Sequence, residues 1–488
     1  MPAPAGVLNV PPTRTAILPC IRKHFDRLLA TGRDDYGPAS TPMWMASLDT
    51  RTGRYPQPDA RPESVGKRVY RNIDAPHGCS LYWDQPMLVA AAALTDETGD
   101  DRYRRAADDY VAAWLNRCVA RDNGMLLWGN HYYYDAFRDS PMHFRGEEPP
   151  QPLAIDQADG SWHEMRPLMP AWEVLWRVDA AATERAIRAA AAGHLADPQT
   201  GAFNRHADNR IAHAFLEAGA IIIESLAWLY SKTGDDALLA PARAMARFSF
   251  DHRHPTTGLL ENNPTHHRWD KHTATTEVGL WAGCLMRGAQ YTRESDWQRM
   301  ADAALSAWLA HGFDEQAGRY FGRLDVATGE PMLGPRPTLY APGDHADLWR
   351  PLFPAHDYPM SMAEACLSLW HHTAAEHYRQ ACQRWLAMID ASLPARGGRG
   401  GYAEHYGRCL HFALRCQSEL DDAPTRDGAG ELAERLAREA MTCLWDLAMF
   451  RTHPGEHRYD AVDGGGYLIL ALLWHATGRR PRMLSLGW

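Results

Sequence analysis

The sequence lacks the cysteine pattern of a disulfide-stapled domain. Its nine cysteines form an odd, scattered set without a C-x-x-C pair. In a chain of 488 residues this distribution indicates reduced thiols that act as small apolar side chains, most of them buried.

A long apolar run and a secretory leader are also missing. The most apolar segment, 220–230, is interrupted by Glu224 and is too short to span a bilayer. The apolar N-terminal segment has no charged region, and the first basic residue, Arg14, follows two prolines, so we expect no secretory signal. We therefore predict a cytoplasmic protein without a membrane partner.

Positive charge is in deficit. Lys and Arg number 51 against 60 Asp and Glu, a net charge of −9. This balance argues against a nucleic-acid partner, which would require a broad basic face, so any anionic substrate must meet cations within its own site. The length and a hydrophobic content of 45% permit a large core, and we predict a single catalytic domain over 1–488.

What the sequence does contain is a repeated corner between two helix patterns. Residues 98–101 (T-G-D-D) join an apolar stretch to an amphipathic one, and residues 233–236 repeat the motif. Glycine permits the left-handed turn that ends one helix, and aspartate caps the next, so the corner specifies a helix hairpin. Looser copies lie at 292–296, 373–376 and 476–478.

The repeated hairpins predict the fold class. Because no single hairpin buries its apolar face alone, we expect an all-α fold, a closed (α/α)-barrel or toroid. Small β inserts are predicted at 125–134 and around 319–333. The alternative is an irregular helical domain.

Three short segments carry the side chains with the most chemistry: 128–131 (W-G-N-H), 163–164 (H-E) and 204–206 (N-R-H). Their imidazoles and carboxylate suit a divalent transition ion, and the guanidinium suits an anionic ligand that the ion would also touch. His163 is an alternative to His131 as an imidazole ligand, although two adjacent side chains rarely reach one ion.

The spacing brings the last two segments together. Prolines at 167 and 170 keep Glu164 out of a helix interior. The pattern then predicts two antiparallel helices, over 171–178 and 180–194, which return the chain to the same side. Glu164 and the pair Arg205-His206 are therefore expected on one rim of the toroid.

These segments resemble the family 2 pectate lyases. The matching stretches are 128–131, 163–166 (H-E-M-R), 170–176 (P-A-W-E-V-L-W) and 205–206, with further similarity at 81–86, 402–408 and 459–473. The resemblance implies an (α/α)-barrel of seven hairpins that cleaves polygalacturonate by β-elimination.

The resemblance also implies the roles of four residues. His131, Glu164 and His206 would be metal ligands, and Arg205 the catalytic residue. The metal would be Mn²⁺, with Ni²⁺, Co²⁺ or Zn²⁺ compatible with the same ligands. The ion and an Arg would neutralise the sugar carboxylate and so acidify the proton beside it. Because a guanidinium normally stays protonated, the role of Arg205 as base or as carboxylate clamp is left open.

We expect the substrate to be an anionic oligo- or polysaccharide. Aromatic side chains beside polar loop residues are suited to stacking on sugar rings, and arginines to binding their carboxylates. The candidates for these contacts are Trp128, Tyr133, Arg350, Tyr358, Tyr402 and Arg408.

Two other functions compete with the lyase. A glycoside hydrolase on the same toroid would need a pair of carboxyl groups, and a catalytically inactive glycan-binding scaffold would need none. Candidates for the pair are Asp84, Glu164, Asp344, Asp347 and Asp463.

Overall fold

Fourteen α-helices occur in the part of the chain that the computed structural model describes, which comprises residues 13–57, 76–144, 149–156, 160, 162–265, 271–335, 342–349, 359–394 and 401–482. They are α1 (Arg14–Thr31), α2 (Leu81–Thr98), α3 (Arg102–Arg117), α4 (Trp172–Val178), α5 (Ala180–His194), α6 (Leu216–Thr233), α7 (Leu239–Asp251), α8 (Thr275–Thr292), α9 (Ser295–His311), α10 (Met360–Thr373), α11 (Glu376–Ala391), α12 (Ala403–Glu419), α13 (Ala423–Leu444) and α14 (Gly465–Thr477).

The helices form seven pairs arranged in a ring. The even-numbered helices are inner and the odd-numbered ones outer, with α14 pairing with α1 and each other inner helix pairing with the helix that follows it. Inner helices pack in the order α6, α8, α10, α12, α14 and α2. Hydrogen bonds place α4 between α2 and α6: Gln85 Nε2 of α2 donates to Met169 O at 3.1 Å, and Trp172 Nε1 of α4 donates to Ser225 Oγ of α6 at 2.9 Å. The predicted all-α (α/α) toroid is confirmed.

One end of the ring, the corner end, carries the tight turns that follow the inner helices. In five of them a threonine hydroxyl donates to the carbonyl four residues earlier and accepts from the N–H two residues later. The next residue is left-handed, with φ from 53° to 72°. It is glycine in three corners, but Arg293 and Ala374 in the other two. The threonine is therefore the constant element of the repeat.

The opposite end, the loop end, holds the N-termini of the inner helices and the short strands. The strands are β1 (Ser47–Asp49), β2 (Gly78–Cys79), β3 (Tyr132–Asp135), β4 (Ser140–His143), β5 (Gln151–Pro152), β6 (Leu195–Asp197), β7 (Ala202–Phe203), β8 (His272–Ala274), β9 (Phe313–Asp314), β10 (Arg319–Tyr320), β11 (Arg323–Asp325), β12 (Trp445–Asp446), β13 (Met449–Phe450) and β14 (Arg458–Asp460).

Most of these strands pair in twos, and β2-β3-β4-β5 form an antiparallel sheet of four. The predicted insert at 125–134 becomes β3 at its end, and the insert around 319–333 contributes β10 and β11, which pair with β9 and β8.

The second inner helix along the chain, α4, is short. α4 has seven residues, whereas the other inner helices have 13 to 18. Pro167 and Pro170 precede it, and proline lacks the N–H that helix propagation requires. The non-helical segment 162–171 therefore runs where the first turns of α4 would be, between the N-termini of α2 and α6.

The prediction of reduced and mostly buried thiols is confirmed. All nine cysteines are free thiols, and seven of them are buried. Among the described residues, no helix has the length and apolar character needed to cross a membrane.

Candidate active site

The three segments that carry the predicted site residues lie side by side at the loop end. Glu164 and His206 face each other in an antiparallel bridge, and Met165 N donates to Arg205 O at 2.8 Å. On the other side, Glu164 N donates to Trp128 O at 3.1 Å. The helix pair α4–α5 thus returns the chain as expected, and the backbone places Glu164 beside Arg205 and His206.

Glu164 is buried among cations. Its Oε1 lies 3.3 Å from Arg205 Nε, 3.6 Å from Arg166 Nε and 3.8 Å from His206 Nε2. Burial alone would raise the pKa of the carboxyl, but the charges of Arg166 and Arg205 hold the pKa of Glu164 well below its usual range. Glu164 is therefore ionised at any physiological pH.

His131 is close enough to Glu164 for the charge of the carboxylate to act on its imidazole. Burial outweighs this charge and lowers the pKa of His131 to about 4, so the imidazole is neutral. Its Nε2 accepts a hydrogen bond from Asn130 Nδ2 at 3.3 Å. Asn130 Oδ1 in turn accepts from Arg166 Nε at 3.1 Å, which orients the amide. The structure thus brings His131, Glu164, Arg205 and His206 into one cluster, which also contains Arg166.

His163 points away from this cluster. Its Nδ1 lies 2.9 Å from His194 Nε2, and His194 Nδ1 donates to Asn204 O at 2.7 Å. Successive side chains of an extended segment point to opposite sides, so Glu164 faces the cluster while its neighbour packs against α5. His163 therefore does not substitute for His131.

A transition ion requires several ligand side chains that converge on one point. Within the described stretches, no group of three or more His, Cys, Asp or Glu side chains is arranged to hold a metal. As placed, the Glu164 oxygen closest to His206 is shared with two guanidinium groups. The side chains do not fit the ion in this arrangement, and the metal role stays a prediction. If it is right, equilibrium dialysis against Mn²⁺ will load the parent protein but not the His206→Ala variant.

Glu217 belongs to the same site and was missed by the sequence reasoning. It lies in the first turn of α6, two residues after Phe215, whose ring is 5.1 Å from Arg205 Cζ. Its side chain is 2% exposed, and Oε2 has no hydrogen-bond partner in the described part of the molecule. Burial raises the pKa of Glu217, and the nearby charge of Glu164 acts in the same direction, against the opposing charges of Arg166 and Arg205.

The only signal in the sequence for this residue was an acidic side chain at the start of an apolar helix. Helix-dipole stabilisation explains such a residue equally well, so the pattern was not diagnostic.

The six predicted substrate contacts fall into different places. Trp128 and Tyr133 are buried in the core, where the Trp128 ring packs 5.1 Å from Tyr82. Arg350 and Tyr358 lie outside the described residues.

Tyr402 and Arg408 belong to a second buried cluster at the start of α12. Arg408 Nε donates to Glu404 Oε1 at 3.1 Å, and its Cζ lies 4.1 Å from the centre of the Tyr467 ring. The hydroxyl of Tyr82 is influenced by both Glu164 and Glu404, so this cluster borders the Glu164 cluster.

Two of the other carboxyl groups considered for a hydrolase have structural partners. Asp84 accepts from Tyr110 Oη at 2.6 Å and from Ser80 N at 2.8 Å, and burial raises its pKa to about 7. Asp344 is exposed and accepts from Gly334 N at 2.9 Å. Of the five candidates, Glu164 is the one that lies beside Arg166 and Arg205.

The part of the chain that builds the site matches a known family. Residues 82–215 match the family described as periplasmic pectate lyase. The resemblance expected from the sequence motifs is thereby confirmed over this segment, which contains His131, Glu164, Arg205 and His206.

Solved structures similar to the whole chain are distant in sequence. An α-1,6-mannanase of Salegentibacter sp. HEL1_6 has 9% identity over 94% of this chain and 98% of its own, with a TM-score of 0.46. An unsaturated glucuronyl hydrolase of Bacillus sp. GL1 has 11% identity over 83% and 88%, with a TM-score of 0.43. A cellobiose 2-epimerase of Bacillus thermoamylovorans B4167 has 11% identity over 77% and 87%, with a TM-score of 0.45.

The predicted function needs a correction. A metal-dependent polyuronate lyase is wrong as the main prediction, because these hydrolases and epimerases agree better with the competing prediction of a glycoside hydrolase on the same toroid. Arg205, whose role as base or as carboxylate clamp was left open, is ion-paired with Glu164, and an ion-paired guanidinium is suited to binding rather than to accepting a proton. The coarser prediction, an enzyme that acts on carbohydrate, is supported.

Proposed function

We propose that this protein is a glycoside hydrolase that acts on a carbohydrate bearing carboxylate groups. The observation that carries the proposal is the pair Glu164 and Glu217. Both carboxyl groups are buried near the same two arginines, yet their environments shift the pKa in opposite directions, lowering that of Glu164 and raising that of Glu217. Two carboxyl groups whose pKa values are shifted in opposite directions usually serve as the acid and the base, or nucleophile, of glycoside hydrolysis.

Glu217 is suited to be the proton donor. Burial raises the pKa of Glu217, and a carboxyl group that holds its proton to a higher pH can protonate the glycosidic oxygen as the bond to the anomeric carbon breaks. Oε2, which has no partner among the described residues, leaves one oxygen available for that contact. A water molecule then adds its oxygen to the anomeric carbon, and its proton returns to a carboxylate.

Glu164 is suited to remain ionised throughout the reaction. We assign to its fixed negative charge the stabilisation of the positive charge that the sugar ring gains in an oxocarbenium-like transition state. The antiparallel bridge to His206 and the hydrogen bond to Trp128 O hold its backbone, so the carboxylate is preorganised.

The charge of the cluster indicates the class of sugar. Arg166 and Arg205 bring two positive charges beside the carboxylate of Glu164, and burial raises the pKa of Glu217, which favours its uncharged form. Arg205 has a side chain that is 24% exposed, so its guanidinium can reach a ligand. A planar guanidinium binds a carboxylate in a bidentate manner, and we therefore infer a uronic acid in the substrate.

The experiment is a product analysis on a panel of polyuronates that includes polygalacturonate and alginate. Hydrolysis creates new reducing ends without ultraviolet absorbance, whereas elimination creates an unsaturated, absorbing sugar. We expect reducing ends alone, and we expect Glu217→Gln to lower kcat by about 10²- to 10⁴-fold.

A matched control is Glu173→Gln. Glu173 also lies in the first turn of an inner helix, but it does not belong to the Glu164 cluster. Its carboxylate accepts a hydrogen bond from Trp228 Nε1 at 3.1 Å and pairs with Lys232 Nζ at 2.6 Å. This variant should keep its activity. An absorbing product, or a Glu217→Gln protein as active as the parent, would refute the proposal.

A further inference from the structure

A group of aromatic rings lies at the tip of the β3–β4 hairpin. The Phe137 ring lies 4.9 Å from Tyr36, 5.6 Å from Tyr55 and 6.2 Å from His77, centre to centre. Phe137 is 41% exposed, whereas Tyr55 beneath it is buried. We call the surface formed by Tyr36 and Phe137 the hairpin-tip platform.

The platform is rigid, although it is built from loops. Tyr55 N donates to Tyr36 Oη at 2.8 Å, and Ala39 N donates to Asp139 Oδ2 at 2.9 Å, which fastens the loop of Tyr36 to the hairpin. Gly37 approaches the hairpin so closely that a Cβ would lie 2.6 Å from Ala136 O. Rings held in place in this way lose little entropy when a ligand binds.

The platform combines an apolar surface with a cation. Arg54 Cζ lies 4.2 Å from the centre of the Tyr36 ring and pairs with Asp35. The apolar face of a sugar ring can rest on an aromatic ring while neighbouring charged groups bind its hydroxyl or carboxylate groups. The same chemistry, aromatic surface beside guanidinium, would suit the substrate class inferred for the active site.

The hairpin connects the platform to that site. His131 directly precedes β3, and Phe137 lies six residues further along an extended strand and its turn, at most about 20 Å away. A saccharide of several units could therefore occupy both places at once, whereas a single sugar unit could not.

We propose that the hairpin-tip platform is a distal subsite that stacks a sugar ring of a long acidic polysaccharide whose reacting unit lies at Glu164 and Glu217. This inference rests on the proposed function. It adds that affinity for long chains exceeds affinity for short ones, because the two contacts are linked through one ligand.

The test is affinity electrophoresis through gels containing polygalacturonate, alginate or hyaluronate, with the full chain carrying Glu217→Gln so that the polymer is not degraded. Adding Phe137→Ala should weaken the retardation about two- to tenfold. Phe137→Tyr should restore it. Competition by a monosaccharide should be the same for both proteins, because one sugar unit cannot occupy the active site and the platform together.

The control is Leu447→Ala, which truncates another exposed apolar side chain, 67% exposed, in the turn between β12 and β13. It should migrate like the parent. Equal retardation of the Phe137→Ala and parent proteins, or no retardation by any polymer, would overturn the subsite. Because binding does not require turnover, a failure of the hydrolase proposal would appear separately, in the reducing-end assay.

Discussion

The two ends of the toroid are stabilised by different interactions. At the corner end, inner helices end in two- or three-residue turns that satisfy their own backbone groups through one threonine hydroxyl. At the loop end, long connections bury carboxylates and arginines beside one another. Local hydrogen bonds stabilise the corner end, whereas at the loop end the buried positive and negative charges must compensate one another. The difference indicates which substitutions cost stability and which cost activity.

The largest effect is expected from Arg166→Ala. This change leaves Glu164 buried with one guanidinium fewer and removes the donor that orients Asn130. Breaking a buried ion pair costs about 3–5 kcal/mol of the free energy of unfolding. Urea unfolding measures the loss, and the matched change Arg102→Ala, at an exposed ion pair of the corner end, should cost less than about 1 kcal/mol. Similar losses in both variants would remove the distinction between the two ends.

Asp84 makes the stability of the loop end depend on pH. Burial raises its pKa from 3.8 to about 7, so the folded state keeps a proton that the unfolded state releases. The resulting stabilisation is complete below pH 3.8 and is lost as pH rises through 7, by up to about 4 kcal/mol. Unfolding free energies from pH 4 to 8 should therefore fall in the parent. In Asp84→Asn that fall should be smaller, and an unchanged slope would count against the assignment.

At the corner end, Gly99→Ala should act on stability alone. Gly99 has φ of 72°, and a Cβ there meets no atom within 4 Å, so the cost is backbone strain of about 1–2 kcal/mol. Thermal unfolding should show a lower Tm at unchanged kcat and KM. A change in kcat would mean that the two ends are coupled.

The smallest effect should have the opposite sign. Ala374 occupies the equivalent corner position after α10 with φ of 53° and is exposed, so Ala374→Gly relieves strain without removing a buried contact. We expect a gain of about 0.5 kcal/mol in the free energy of unfolding. A loss instead would show that this corner tolerates alanine without strain.

Much of the architecture could be predicted because it is encoded locally. The Thr-Gly-Asp-Asp corners predicted hairpins, and hairpins in series predicted a ring. The two corners without glycine were harder to recognise, because Arg293 and Ala374 adopt the left-handed backbone conformation that glycine would have indicated. Their threonines, Thr292 and Thr373, were the better signal.

The site was predictable only in part. The order of Glu164, Arg205 and His206 along the chain, with two prolines and a helix pair between them, was enough to place them together. Glu217 and Arg166 were missed because their significance is set by burial and by neighbours on other segments. An acidic group whose pKa the interior raises looks, in the sequence, like any other acidic residue near a helix start.

The pairing of α14 with α1, and its place between α12 and α2, has a consequence for biosynthesis. Helix α1 completes its packing only when α14 has been synthesised, so the ring remains an open arc with apolar edges until then. Contacts of such long sequence separation slow the final folding step and expose the arc to aggregation. A chaperone that shields this arc would therefore raise the yield of folded protein more than it would raise the rate at which any single hairpin forms.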